Sequence, residues 1–235
     1  GERSPVLGIV FALVALICLV IASSKNIKHA SERLEKLWLT LANTSPLIQN
    51  NCAILQLLSA FGLELTSFGL LSEVDNQSIY SSGPLHDLMN EYLCIETLQN
   101  SIPLYVSIYK SQGLATDLFN VALAEIGVSD SKDSDFFHIQ SQPLNDQKNI
   151  ILASAALPIL FKPKFINGNK YRDGGMGGWQ KMQGNTPITP LINNGYKTII
   201  VTHLTDGSLW SREDFPNTTI LEIRPQSPIQ RESFA

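Results

Sequence analysis

Residues 153–204 read ASAALPILFKPKFINGNKYRDGGMGGWQKMQGNTPITPLINNGYKTIIVTHL. The stretch Asn149–Leu157 has the character of a short helix, rich in small residues at Ala153, Ser154, Ala155 and Ala156. Pro158 ends it, because proline has no N–H to donate and its ring clashes with the preceding turn. Phe165-Ile166 and Lys170-Tyr171 then flank Asn167-Gly168, the signature of a two-residue type I′ hairpin turn. The hairpin delivers Asp173 to a turn where Gly174 and Gly175 have no Cβ, so the backbone can take positive φ and another segment can approach closely. An Asp-Gly pair alone is an ordinary turn. At the end of a strand and beside two glycines, the aspartate can point into a cleft instead of into solvent.

Outward from this stretch, helical and strand patterns alternate. Ile27–Leu41 has helical spacing, with Leu34, Leu37, Trp38 and Leu41 expected on one face. Ile54–Leu71 is mostly apolar and reads as a helix broken near Gly62 and Gly69. In Ser78–Leu93, Ser82 or Gly83 can cap a helix with Pro84 at its first position and Leu85, Leu88, Met89 and Tyr92 inward. Pro103–Tyr109 reads as a buried strand, Thr116–Ile126 as a helix stopped by Gly127, and Val128–Asp135 as a polar loop. Thr198–Leu204 and Thr219–Ile223 read as further strands. Such alternation predicts an α/β fold with a mainly parallel central sheet containing Leu104–Ile108 and Thr198–Val201, both largely buried. No repeat or linker divides the chain, so residues 1–235 are read as a single domain.

Composition removes several functions. With 44% hydrophobic and 16% charged residues the chain is globular rather than disordered. The net charge of −4 and the lack of a Lys/Arg block argue against nucleic acid as a partner. Cys18, Cys52 and Cys94 are widely spaced, which fits buried free thiols rather than a disulfide framework. His29, His86, His138 and His203 are scattered without metal-ligand spacing, so no metal is expected. Val6–Ala22 is an unbroken apolar run of 17 residues, just under the ~20 that a membrane-spanning helix needs. A membrane anchor is therefore one reading of it.

The order of motifs resembles the patatin-like phospholipase family over roughly Ala15 to Ile223. The pieces that carry the resemblance are Ala153-Ser154-Ala155-Ala156-Leu157-Pro158, Asp173-Gly174-Gly175, Asn185-Thr186-Pro187 and Gly195 before an apolar strand. Ile79–Leu85 resembles the family's aromatic-x-x-x-P-L helix start, and Pro103-Leu104-Tyr105-Val106 its P-L-x-V strand. The resemblance implies a three-layer α/β/α domain and a Ser–Asp dyad, in which a serine attacks an ester carbonyl and Asp173 takes its proton. Gly174 and Gly175 support that aspartate. No cofactor is implied. The implied substrates are phospholipids or lysophospholipids at a peripheral membrane surface.

The chain departs from the family pattern in ways that shape the reading. No G-x-S-x-G nucleophile elbow occurs anywhere in it. Gly1-Glu2-Arg3-Ser4 stands where the family's glycine-rich oxyanion loop would end, so Gly1, Glu2 and Arg3 are the oxyanion-hole candidates. Gly8–Leu13 then matches the helix after that loop, and Ala15–Ser23 the buried helix after the elbow. A segment of about 20–30 residues, a strand plus its connections, is therefore expected between Val14 and Ala15, carrying the nucleophilic serine. The longer loop Met176–Gly184 is expected to be mobile at the cleft mouth, with Trp179 and Met182 meeting lipid. Two other readings stand: a patatin-like domain without its serine that binds lipid or protein, or a membrane-anchored protein using Val6–Ala22. The Asn- and Ser-rich composition and the insertion at Gly113–Asp135 also resemble a bacterial subgroup secreted into host cells, where a host protein acts as activator. The implied location is cytoplasmic, or the host cell interior, peripheral at membranes.

Overall fold

The computed structural model describes residues 16–43, 48–49, 80–81, 83–92, 95–158, 160–203 and 210–226. Helix α1 covers 16–22 and α2 spans Ile27–Asn43. Their junction is closed by side chains. Ser23 Oγ donates to Leu19 O at 2.7 Å, and Asn26 Oδ1 accepts from His29 N at 2.9 Å, capping α2. Arg33 ties α1 to α2 through Ser23 Oγ at 2.9 Å and Ser24 Oγ at 3.0 Å. Its other nitrogen donates to the carbonyl of Tyr92.

Two short strands, β1 (Ile48–Gln49) and β2 (Tyr80–Ser81), pair antiparallel. Helices α3 (Gly83–Tyr92) and α4 (Ile95–Gln99) follow. Leu88, Met89 and Tyr92 of α3 are buried at the expected helical spacing. Next come β3 (Tyr105–Lys110), α5 (Leu114–Glu125), β4 (Asp135–His138), α6 (Leu144–Ala153), β5 (Lys164–Ile166) and β6 (Asn169–Asp173). The chain continues through α7 (Thr189–Asn193), β7 (Thr198–Thr202) and β8 (Thr219–Ile223).

The principal sheet has the order β4-β3-β6-β5 and every pairing in it is antiparallel. This corrects the expectation of a mainly parallel sheet. β5 and β6 are joined by a two-residue turn, which only an antiparallel pair allows. After α5 the nine residues 126–134 carry the chain back to the end of β3 that it had left, so β4 also runs antiparallel. The parallel pair in the described residues is β7–β8, a separate sheet. Thr198–Val201 is accordingly not beside Leu104–Ile108. It is also half-buried rather than fully buried: Ile199 and Val201 point inward while Ile200 is 63% exposed, as strand alternation requires.

One face of the principal sheet, carrying Val106, Ile108 and Tyr171, packs against α6 and the first helices in one core. α1 contributes Leu16, Leu19 and Val20 to that core, and α2 contributes Leu37. Trp38, one position and about 100° round the helix from Leu37, is 51% exposed rather than inward. Cys18 is exposed, not buried; Cys52 and Cys94 lie outside the described residues. Among the described residues no helix is long and apolar enough to cross a membrane. The membrane-span reading of Val6–Ala22 falls partly on residues outside the described set, and its described end is core-packed. A second, smaller cluster joins Ile188, Ile199, Val201, Trp210 and Ile220.

The hairpin between β5 and β6 forms as its sequence requires. Ile166 faces Asn169, with Asn167 at φ 49 and Gly168 at φ 74. A Cβ at Gly168 would meet nothing within 4 Å. Gly168→Ala therefore carries only the conformational cost of a left-handed residue. Chemical denaturation should show a loss of about 1–2 kcal/mol.

Candidate active site

Asp173 is the last residue of β6, opposite Ile108 of β3. Residues directly opposite share a face of the sheet, so its carboxyl lies on the side of the main core. It is only 5% exposed. Its N–H donates to Ala156 O at 3.1 Å, which anchors the strand end to the turn that follows α6. α6 starts earlier than expected, after Pro143, and ends at Ala153. The chain then turns through Ala155 and Ala156, whose side chains are small enough to let β6 come this close. Burial pushes the Asp173 carboxyl up to about 7 from an ordinary 3.8, and a hydrogen bond from Gly175 N–H at 2.7 Å opposes the rise.

The glycines around Asp173 are explained by contact. A Cβ on Gly174 would stand 2.4 Å from Ser107 O, and one on Gly175 would stand 2.3 Å from Asn185 Oδ1. The closest approach is at Gly184, where a Cβ would lie 1.9 Å from Gly174 O. D-G-G and G-N-T-P, separate in sequence, therefore pack backbone to backbone. Gly174–Met176 continues as a single 3-10 turn, and the Asp173 side chain accepts from Gly175 as its cap.

The residues opposite this turn escaped the sequence reading. Ser134 Oγ donates to Gly174 O at 2.6 Å, and Ser131 Oγ to Met176 O at 2.7 Å. Trp179 N donates to Ser131 Oγ at 3.1 Å, and Gly178 N to Lys132 O at 3.2 Å. On the other face of the sheet, Arg172 lies 3.7 Å from the Asp117 carboxylate of α5, and both side chains are fully buried. Asp117 also accepts from Ser111 Oγ, and from Gln112 N at 2.9 Å. The sequence signals were slight. VSDSKDSD has the composition of a solvated loop, and Asp117 is a lone aspartate in a mostly apolar helix.

The other expected site residues are placed as follows. Gly1, Glu2, Arg3, Val14 and Ala15 lie outside the described residues. Trp179 is half-buried, and its indole N–H donates to Glu125 of α5 at 2.6 Å. Met182 turns the other way, onto the second core cluster. The segment Met176–Gly184 is thus hydrogen-bonded to 130–134 and to α5. Among the described residues no serine hydroxyl and no histidine hydrogen-bonds the Asp173 carboxylate. No group of three or more His, Cys, Asp or Glu among them is placed to hold a metal.

Residues 15–192 match the model of the patatin-like phospholipase family. The chain belongs to the patatin-like phospholipase family. No curated protein and no solved structure matches it. In the numbering of this patatin-like chain, the matched span contains Asp173, its glycines, the serine brace and Asn185-Thr186-Pro187.

Two stability measurements check this geometry. Gly184→Ala has ordinary φ but no room, so it should cost about 1–3 kcal/mol through overpacking. The Asp173 shift has a definite sign. The folded state keeps the proton up to about 7 while the unfolded chain releases it near 3.8, so stability falls as pH rises between those values. Asp173→Asn should be flat across that window and more stable than the parent at pH 8, by at most about 4 kcal/mol at ~1.36 kcal/mol per pH unit. Thermal melts from pH 4 to 8 read this directly.

Proposed function

We propose that the protein is a lipid acyl hydrolase of the phospholipase A or lysophospholipase type, working through a Ser–Asp dyad with Asp173 as the base. The observation that supports this most is the position of Asp173: buried, at a strand end, with a proton affinity near neutral pH. A carboxylate with an ordinary value would be charged at pH 7 but a poor acceptor for a serine proton. One raised to about 7 is half charged there and a much better acceptor.

In this reading a serine hydroxyl attacks the ester carbonyl while Asp173 accepts its proton. The oxyanion forms against backbone N–H groups, for which Gly1, Glu2 and Arg3 are the candidates. The protonated Asp173 then gives its proton to the departing alcohol, leaving an acyl-enzyme. Water attacks that ester with Asp173 again as base, the fatty acid leaves, and Asp173 hands the proton back to the serine oxygen. The nucleophile belongs to a segment between Val14 and Ala15. The opening of the family match at residue 15 supports this, since that is where the helix following the elbow is expected to start. Trp179 and Met182 remain candidates for lipid contact, Trp179 being an amphipathic side chain on the same loop as the D-G-G turn. We include in the reading a phospholipid or lysophospholipid substrate met at a membrane surface, a host cell location and a host protein activator.

Two assays test the chemistry. With short-chain lysophospholipid as substrate, Asp173→Asn should lose at least about 1,000-fold in kcat while its melting temperature holds or rises, since a base is removed and a buried charge with it. In the parent, kcat/KM should climb with pH and level off above about 7, following the carboxylate form. A variant that hydrolyses the ester as fast as the parent would remove Asp173 from the mechanism.

A further inference from the structure

Residues 130–134 run alongside 174–180 as a brace made of short polar side chains. Gln180 N donates to Asp130 Oδ1 at 3.1 Å, which extends the series formed by Ser131, Lys132 and Ser134. Ser134 is distinct within it. The carbonyl that its hydroxyl binds, Gly174 O, belongs to the same peptide group as the Gly175 N–H that holds the Asp173 carboxylate. A peptide group is planar, so fixing its oxygen fixes the direction of its N–H. Donation to the oxygen also polarises the group and strengthens the N–H as a donor. Ser134 is buried, and Gly177 makes room for it, since a Cβ there would stand 2.2 Å from Ser134 Oγ.

We propose that Ser134 is a positioning residue for Asp173, acting through the Gly174–Gly175 peptide to aim and strengthen the N–H that holds the carboxylate. The proposal rests on the reading of Asp173 as the base and adds a residue that adjusts its charge state. Without the Ser134 hydroxyl the N–H is a weaker and less well directed donor, the carboxylate loses support, and the acid form persists to higher pH. The other charged groups are disposed so that none duplicates this role. Asp135 on β4, Lys110 on β3, Tyr171 on β6 and Lys164 on β5 share the Asp173 face of the sheet, and Arg172 faces Asp117 across the opposite side. On the brace itself, Lys132 and Asp133 are exposed, and Asp130 caps Ser131 N at 2.8 Å. α6 brings apolar side chains to this face.

The test reads the carboxyl itself and needs no turnover. Asp side-chain carboxyl carbons of the ¹³C-labelled full chain are titrated by NMR, with the Asp173 signal identified by its loss in Asp173→Asn. The parent should titrate at about 7. Ser134→Ala should titrate higher by about half a pH unit or more, Ser134→Cys should move the same way, and Ser134→Thr should return towards the parent. Ser131→Ala serves as the control, because Ser131 braces Met176 O, a different peptide. It should lower stability and leave the Asp173 titration in place. An unchanged midpoint in the folded Ser134→Ala or Ser134→Cys variant overturns the proposal, as does an equal shift in Ser131→Ala. A parent Asp173 that titrates near 4 instead sinks the reading of Asp173 as base.

Discussion

The architecture around the site depends on the carbonyl of Gly174 being squeezed between two parts of the chain. Gly184 lies against it so closely that no other residue fits, and Ser134 donates a hydrogen bond to it. From that contact the D-G-G turn takes its direction, the G-N-T-P segment takes its place, and the Gly175 N–H comes to bear on Asp173. Backbone contacts of this kind have no side-chain slack, so one added methyl displaces the whole arrangement. The same rigidity is what a catalytic group requires if it is to be held in a single orientation.

Burying Asp173 costs stability at neutral pH. Among the described residues its carboxyl accepts one hydrogen bond, from the N–H of Gly175. Immediately before it, Arg172 reaches the opposite face of the sheet and meets Asp117, itself held by Ser111 and Gln112. A buried ion pair adds little net stability, but it punishes misplacement severely. A one-residue slip of β6 would exchange Arg172 and Asp173 between faces and leave both charges without partners. The pair therefore acts on register: it fixes which side of the sheet the aspartate occupies.

What could be read from the sequence divides along physical lines. The Asn167-Gly168 hairpin was legible because a local turn with positive φ needs those residue types. Asp173 with Gly174, Gly175 and Asn185 was legible as an ordered set; Gly184, whose approach to Gly174 O is the tightest, was read only as the end of a loop. The direction of the sheet was not. It is set by the return path of 126–134 after α5, which leaves no periodic mark, and helix–strand alternation pointed to the parallel alternative. Trp38 was misjudged because it lies about 100° round α2 from Leu37, which takes it off the buried side. Ser131 and Ser134 stayed hidden because hydroxyls that bind carbonyls have the same composition as a solvated loop. Trp179 and Met182 lie on one glycine-rich segment yet turn to different neighbours, one to Glu125 and the other to the second core.

The central claim is that a nucleophilic serine stands opposite Asp173 in the intact protein, and it can be tested by covalent capture. The full-length protein is treated with a fluorophosphonate, which phosphonylates activated serines, and the modified peptide is sequenced by mass spectrometry. The account predicts a single labelled serine in a G-x-S-x-G peptide lying between Val14 and Ala15, with labelling lost in Asp173→Asn. No labelling, or labelling of another serine independent of Asp173, would contradict it.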